Sequence, residues 1–450
     1  MKTIIRNIQL VNEGTIVTSD ILIIGERIEK IAPTIDLDSK EKYTEIDGTG
    51  LFALPGAIDD QVHFRDPGLT HKATISSESM AAVAGGITSY MDMPNTIPNV
   101  LTLDLLEEKY SKAQNTSAAN YSFYMGINQQ NLEEALKVNN ETVCGITDDG
   151  LYFNANDGIL ANYPDFLETL FARSSTIIAL HSEDDKIIKA NTDKYKAIYG
   201  ENIPFQFHSK IRSEEACLEA TKRVLNIAKK HNNRLHIYHV STASEANLFD
   251  NSIPLAQKRI TAEACVHHLW FNENDYHELG ALIKWNPSIK TKEDQEGLLK
   301  ALLEDRLDII ATDHAPHTLE EKSGTYFNAH SGGPLVQHAL PAMLELYHQG
   351  KISLEKIVEK MCHNPAIMYK MKDRGFIREG YFADIVLVNL ASKWEVNDSN
   401  ILYKCGWSPF NKTVFSSKID STFVNGHRVY NQGNFDLAQF GKRLQFDKER

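Results

Sequence analysis

The chain has 450 residues, enough for one large core with a smaller unit appended. Its 42% hydrophobic and 24% charged residues are those of a globular protein, and the net charge of −13 is scattered along the chain. No basic block is present to track a phosphate backbone or an anionic membrane, which speaks against nucleic acid and membrane partners. The five cysteines, Cys144, Cys217, Cys265, Cys362 and Cys405, are odd in number and form no Cys-x-x-Cys pair, as expected for a reducing compartment. MKTIIRNIQLVNEG lacks the apolar core of an export signal, and no apolar run approaches the roughly 18 to 20 residues that span a bilayer. A cytoplasmic protein is expected.

Taken in chain order, residues 1 to about 50 alternate apolar and polar positions in KTIIRNIQLVN, TIVTSDILIIG and RIEKIAP, predicting short strands with turns. Eight apolar runs follow: LFALPGAIDDQVHF, GITSYMDMPN, YSFYMGIN, VCGITDD, TIIALHSED, RLHIYHVS, RITAEACVHH and LDIIATDH. Helical patterns such as ACLEATKRVLNIAKKHNN alternate with them, which predicts βα units, and eight such units predict an α/β fold closed as a (β/α)₈ TIM barrel. After residue 375, GFIREGYFADIVLVN and STFVNGHRVYNQG return to strand texture. Both chain termini are therefore expected to pair into a small β-sandwich, with residues 1–52 its N-terminal part, 53–374 the barrel, and 375–450 its C-terminal part and tail.

Nearly every apolar run ends in a polar or metal-capable residue: His63, Asn95, Asn128, Asp149, His181, His239, His267 and Asp313. In a (β/α)₈ barrel these ends converge on one face, where active sites are assembled. His63, His181, His239 and Asp313 offer the mixed nitrogen and oxygen set that zinc accepts. A metal lowers the pKa of bound water toward neutrality, and Asp313 at the end of the eighth strand can then carry a proton to a leaving nitrogen. Residues 317–333 are polar, Gly-bearing and without either periodicity, and are expected to act as a lid over bound substrate. Of the adjacent His267 and His268, at most one can face the barrel mouth.

PGAIDDQVHFRDPG, GGITSYMDMPNT, ITDDG, ALHSED, LHIYHVST, KWNPSIK and IIATDHAPH, in this order over nearly the whole chain, resemble the amidohydrolase superfamily and within it the dihydroorotases. The resemblance implies interconversion of N-carbamoyl-L-aspartate and L-dihydroorotate. It implies His63, Asp149, His181, His239 and Asp313 at metal-ligand positions, Arg65 and Asn95 on the substrate carboxylate with His317 assisting, and Asn286 near the ring. Arginine suits that task because its planar guanidinium grips a carboxylate with two parallel hydrogen bonds.

Two positions depart from the family pattern. Gln61 stands where the first histidine of His-x-His is expected, which loses or weakens a ligand of the more buried metal site; and the fourth strand ends in Asp148-Asp149-Gly150 where many relatives carry a carboxylated lysine. Both point to one zinc ion held through His181 and His239, with a second site weak or empty. Two other readings are a hydantoinase- or allantoinase-like cyclic amidase, which would waste a carboxylate clamp on a neutral ring, and a catalytically silent partner subunit. Fold-level analogy suggests a homodimer.

Overall fold

The computed structural model describes residues 2–38, 40–151 and 158–448. The chain opens with β1 (Lys2–Asn12), β2 (Thr15–Ile24), β3 (Arg27–Ala32), β4 (Thr44–Asp47) and β5 (Phe52–Pro55). The expected barrel follows. Its staves are β6 (Ala57–Val62), β7 (Ile87–Asp92), the collinear pair β8 (Asn120–Phe123) and β9 (Met125–Gly126), β10 (Ile146–Thr147), β11 (Ile178–Leu180), β12 (Leu235–Ile237), β13 (Ile260–Cys265) and β14 (Ile309–Ala311). All adjacent pairs are parallel, from Ala57 opposite Ile87 through Met125 opposite Ile146 to Glu263 opposite Ile309. A bridge between Val62 and His314 closes the ring, and the His63 amide donates to the His314 carbonyl at 2.7 Å.

The staves β6, β7 and β14 are buried along their whole length; β14 (IIA) is apolar throughout, whereas β6 and β7 also bury polar side chains, among them Asp59, Asp60 and Asp92. Helices cover their outer side. Glu214–His231 shows why such segments are helical: Ser213 caps its first turn, Glu214 and Glu215 face the positive end of the dipole, and Lys229, Lys230 and His231 face the negative end. Its apolar stripe, including Cys217, Val224 and Leu225, is buried.

β15 (Ile385–Asn389), the short hairpin β16 (Trp394–Glu395) and β17 (Val414–Phe415), then β18 (Lys418–Val424), β19 (His427–Asn431) and β20 (Asn434–Phe435) complete the strands among the described residues. Both termini do share one sheet, of nine strands: β15 pairs antiparallel with β5 on one side and β18 on the other, while β5 runs parallel to β1. Ile5, Ile21, Ile385, Leu387 and Phe423 form its own apolar core. A separate cluster fills the barrel interior, where Met91, Tyr124 and Tyr238 meet Tyr369, Leu444 and Phe446 from segments that follow the barrel. Among the described residues no helix is long and apolar enough to cross a membrane.

Candidate active site

The parallel strands deliver His63, Asp149, His181, His239 and Asp313 to one buried cluster at their C-terminal ends. One ligating atom each from Asp149, His181 and His239 lies within 4.8 Å of the others. His181 Nδ1 and His239 Nε2 face one another at 3.0 Å, and His63 Nε2 stands 3.3 Å from Asp149 Oδ2 and 3.1 Å from Asp313 Oδ1. Converging lone pairs and carboxylate oxygens of this kind fit a divalent metal. The backbone is bent to achieve it: Arg65, His239 and Asp313 have φ of 63°, 36° and 47°, in the left-handed region that non-glycine residues seldom occupy and that clusters at functional sites.

Charge in this cluster is strongly coupled. Burial favours the neutral form of His63, yet the carboxylates of Asp149 and Asp313 outweigh it and raise the imidazole to about 9. Burial raises Asp313 to about 6 despite its contact with His63, while the three surrounding histidines overcome burial at Asp149 and hold it well below the usual carboxylate range. Burial and the neighbouring His181 keep His239 neutral.

A further layer of partners orients these groups. His181 Nε2 donates to Glu183 Oε2 at 2.8 Å, leaving Nδ1 toward the cluster, and Arg212 Nε donates to both oxygens of Glu183 at 3.1 and 2.8 Å. A carboxylate behind an imidazole fixes its tautomer and raises its basicity as a ligand. Glu263 accepts the backbone N–H of His239 at 3.0 Å and, through its other oxygen, the Nε2–H of His236 at 3.0 Å. Gln61 turns its amide nitrogen to Asp149 Oδ2 at 3.2 Å, while its oxygen accepts from the Cys265 thiol at 3.6 Å. The one Gln61 atom able to ligate thus points away from the cluster, so a second metal at the usual buried position does not fit these residues.

A cavity of about 780 Å³ opens above, lined by His63, Arg65, Asn95, Asn286, Asp313 and His317 among others. Arg65 donates from Nη2 to His317 Nε2 at 3.2 Å and from Nε to the Pro316 carbonyl at 3.2 Å. His317, neutral through burial, also has Lys72 Nζ 3.1 Å from its Nδ1, and Lys72 is paired with Glu321 at 2.9 Å. Asn95 has a duty that its motif did not suggest: its Oδ1 accepts the Nδ1–H of His63 at 2.8 Å, which turns Nε2 toward the carboxylates. Gly150, at φ 72°, makes room for Asn95, since a Cβ there would lie 2.2 Å from Nδ2. Among the described residues no group donates to the buried Oδ1 of Asn286.

The segment 317–333, expected to act as a lid, lines this cavity and is held there by two lysines. Lys322 Nζ donates to the carbonyls of His330 at 2.8 Å and Gly332 at 2.6 Å, and Lys284 Nζ to those of Tyr326 and Ala329, both at 2.6 Å. His267 and His268 are both buried; His267 stacks on Trp285 and His268 donates to the Pro287 carbonyl. Asn128 is spent on its own turn, accepting from the amides of Gln130 and Asn131.

A model of the amidohydrolase family matches residues 52–429. The chain belongs to the amidohydrolase family. This amidohydrolase is 32% identical over 393 residues to a dihydroorotase of Wolbachia sp. subsp. Drosophila simulans, with 86% of each chain covered. It is 30% identical over 397 residues to a dihydroorotase of Halobacterium salinarum, covering 87% of this chain and 88% of that one. Among solved structures, an L-hydantoinase (dihydropyrimidinase) from Arthrobacter aurescens matches with a TM-score of 0.90 at 25% identity, over 98% of this chain and 99% of that one. The amidohydrolase is an enzyme, and the residues at its strand ends can hold a metal ion.

Glu183, Arg212, Lys72, Glu321 and Glu263 were not singled out in the sequence. Glu183 carried a signal, a carboxylate two residues beyond a strand-end histidine; the others act across gaps that sequence spacing does not span.

Proposed function

We propose that this amidohydrolase is a zinc-dependent dihydroorotase, reversibly cyclising N-carbamoyl-L-aspartate to L-dihydroorotate. The observation that carries this reading is the buried guanidinium of Arg65, facing the same cavity as Asn95, His317 and Asp313. Arg65 keeps hydrogen-bonding capacity beyond its contacts with His317 and Pro316, enough to grip a substrate carboxylate. Desolvation makes that charge-assisted contact stronger than it is at a surface. The relatives named as dihydroorotases support the same substrate.

One zinc ion, held by His181, His239 and Asp149 beside His63, would supply the Lewis acidity that activates water and the amide carbonyl near neutral pH. Around it the chain's own residues do the rest. Asp313, raised by burial to about 6, accepts a proton from the attacking water and returns it to the ring nitrogen as the carbon–nitrogen bond opens. Ring closure runs the same path in reverse: Asp313 takes the proton from the ureido nitrogen and delivers it to departing water. His317 and Asn95 complete the carboxylate contacts, and Asn286 Oδ1 accepts an N–H of the ring. A cytoplasmic homodimer goes with this reading by analogy alone.

The test joins elemental analysis of the purified protein to carbamoyl-aspartate cyclisation before and after chelation and zinc return. Near-stoichiometric zinc with chelator-sensitive, zinc-restored turnover is expected; absent turnover with zinc bound would favour the silent homologue. The likeness to an L-hydantoinase favours a neutral cyclic amide as a second reading. Inhibition by orotate and not by hydantoin separates the two.

A further inference from the structure

We propose that Trp285 is a positioning residue that holds Asp313 in the backbone conformation turnover requires; this rests on the proton-moving role of Asp313 given above. Trp285 is completely buried, and its Nε1–H donates to the Asp313 carbonyl at 3.2 Å. Asp313 has φ 47°, so its peptide planes stand in an arrangement that an L-residue leaves readily unless neighbours fix it. The carboxylate inherits its direction from that backbone, and it is this direction that brings Oδ1 to 3.1 Å from His63 Nε2.

The indole is itself immobilised. One face stacks on His267, with ring centroids 4.5 Å apart and planes 16° from parallel. Gly333 lies against the ring: a Cβ at that position would stand 2.6 Å from Cη2 and 2.8 Å from Cζ2 of Trp285. Gly333 is in turn tied to the strand end, because its carbonyl accepts the Ala315 amide at 3.0 Å. His267 and Gly333 thus fix the Trp285 ring from two sides, and Gly333 ties it to Ala315, two residues beyond Asp313. A ring that served only as cavity wall would need the stack and the fit against Gly333, but not an N–H aimed at the Asp313 carbonyl.

Trp285→Phe keeps the stack and the wall and removes the donor. The expected result is a kcat at least about tenfold lower, with KM within about twofold and zinc content unchanged, because an ångström of misplacement is costly to chemistry while leaving ground-state binding alone. Gly333→Ala disturbs the indole from a second side without touching its N–H and is expected to show the same split. In the double variant the losses should combine to less than their product, as coupled positions do. A kcat within twofold of the parent in Trp285→Phe, a fall that tracks lost zinc, or a KM rise at constant kcat would each overturn the proposal. If Trp285→Phe does not fold, Gly333→Ala decides by the same criteria. Should the parent enzyme itself turn over neither carbamoyl aspartate nor dihydroorotate, the functional reading fails. The crystal structure of Trp285→Phe then decides the positioning claim: a displaced Asp313 carbonyl supports it and an unmoved one overturns it.

Discussion

Gln61 donates its amide hydrogen to Asp149 Oδ2 across 3.2 Å, from a position where the family pattern has a histidine. The partly positive end of that amide faces one of the proposed metal ligands, and its oxygen is committed to Cys265. Gln61→His restores a nitrogen ligand next to His63. Zinc content is expected to rise from about one toward about two equivalents per chain, read by elemental analysis after dialysis against zinc. An unchanged ratio would mean that something other than residue 61 limits metal loading.

In the proposed reading, Arg65 is the group on which substrate choice turns. Lysine keeps the charge but loses the planar fork, so Arg65→Lys should lower kcat/KM for carbamoyl aspartate about ten- to a hundredfold, mostly through KM, the size expected for one lost charge-assisted contact. Steady-state kinetics decide it. A variant that kept its KM would show that the carboxylate binds elsewhere.

Glu183 stands behind His181 and is paired with Arg212. Glu183→Gln keeps the volume and removes the charge, leaving a less basic imidazole at His181 and a partly buried guanidinium without its counter-ion. Metal affinity, measured by competition with a chromophoric chelator, is expected to fall about ten- to a hundredfold. Equal affinity in parent and variant would confine Glu183 to a structural role.

Lys284 gives a stability signature in alkaline solution. Burial, with Arg212 adding repulsion, lowers its ammonium to about 7, against about 10.4 in an unfolded chain. The unfolded state therefore binds more protons between those values, and the linkage sign makes folding more favourable as pH rises through that window. The contribution is complete above about 10.4 and lost as pH falls through about 7. Both carbonyl contacts survive deprotonation, since a neutral amine still has two hydrogens for Tyr326 and Ala329. In Lys284→Met, the urea-unfolding free energy should rise less steeply with pH from 7 to 10 than in the parent. Parallel curves would assign the titration to another group.

The sequence made the barrel legible because parallel strands buried on both faces are rich in apolar residues, and because their ends must meet at one rim. That is how His63, Asn95, Asp149, His181, His239 and Asp313 could be grouped without coordinates. Strand lengths were less legible: VCGITDD yields only Ile146 and Thr147 as ladder, and YSFYMGIN is interrupted at Tyr124. The segment 317–333 looked like a lid because its own composition is that of a loop. What fixes it is the pair Lys284 and Lys322, whose ammonium groups satisfy its carbonyls, and no local pattern announces a lysine turned inward. The direction of the Gln61 amide was equally hidden, since it depends on Cys265, which lies far away in sequence and meets it only once the barrel has closed.

Leu444 and Phe446 are fully buried against the inward side chains of the barrel, and Arg443 pairs with Tyr121 on β8. The staves by themselves therefore leave part of their interior unfilled, and it is side chains from this later segment that occupy it. Trimming the chain where the family match stops, at residue 429, would unplug the barrel while leaving every motif of the strand-end rim in place.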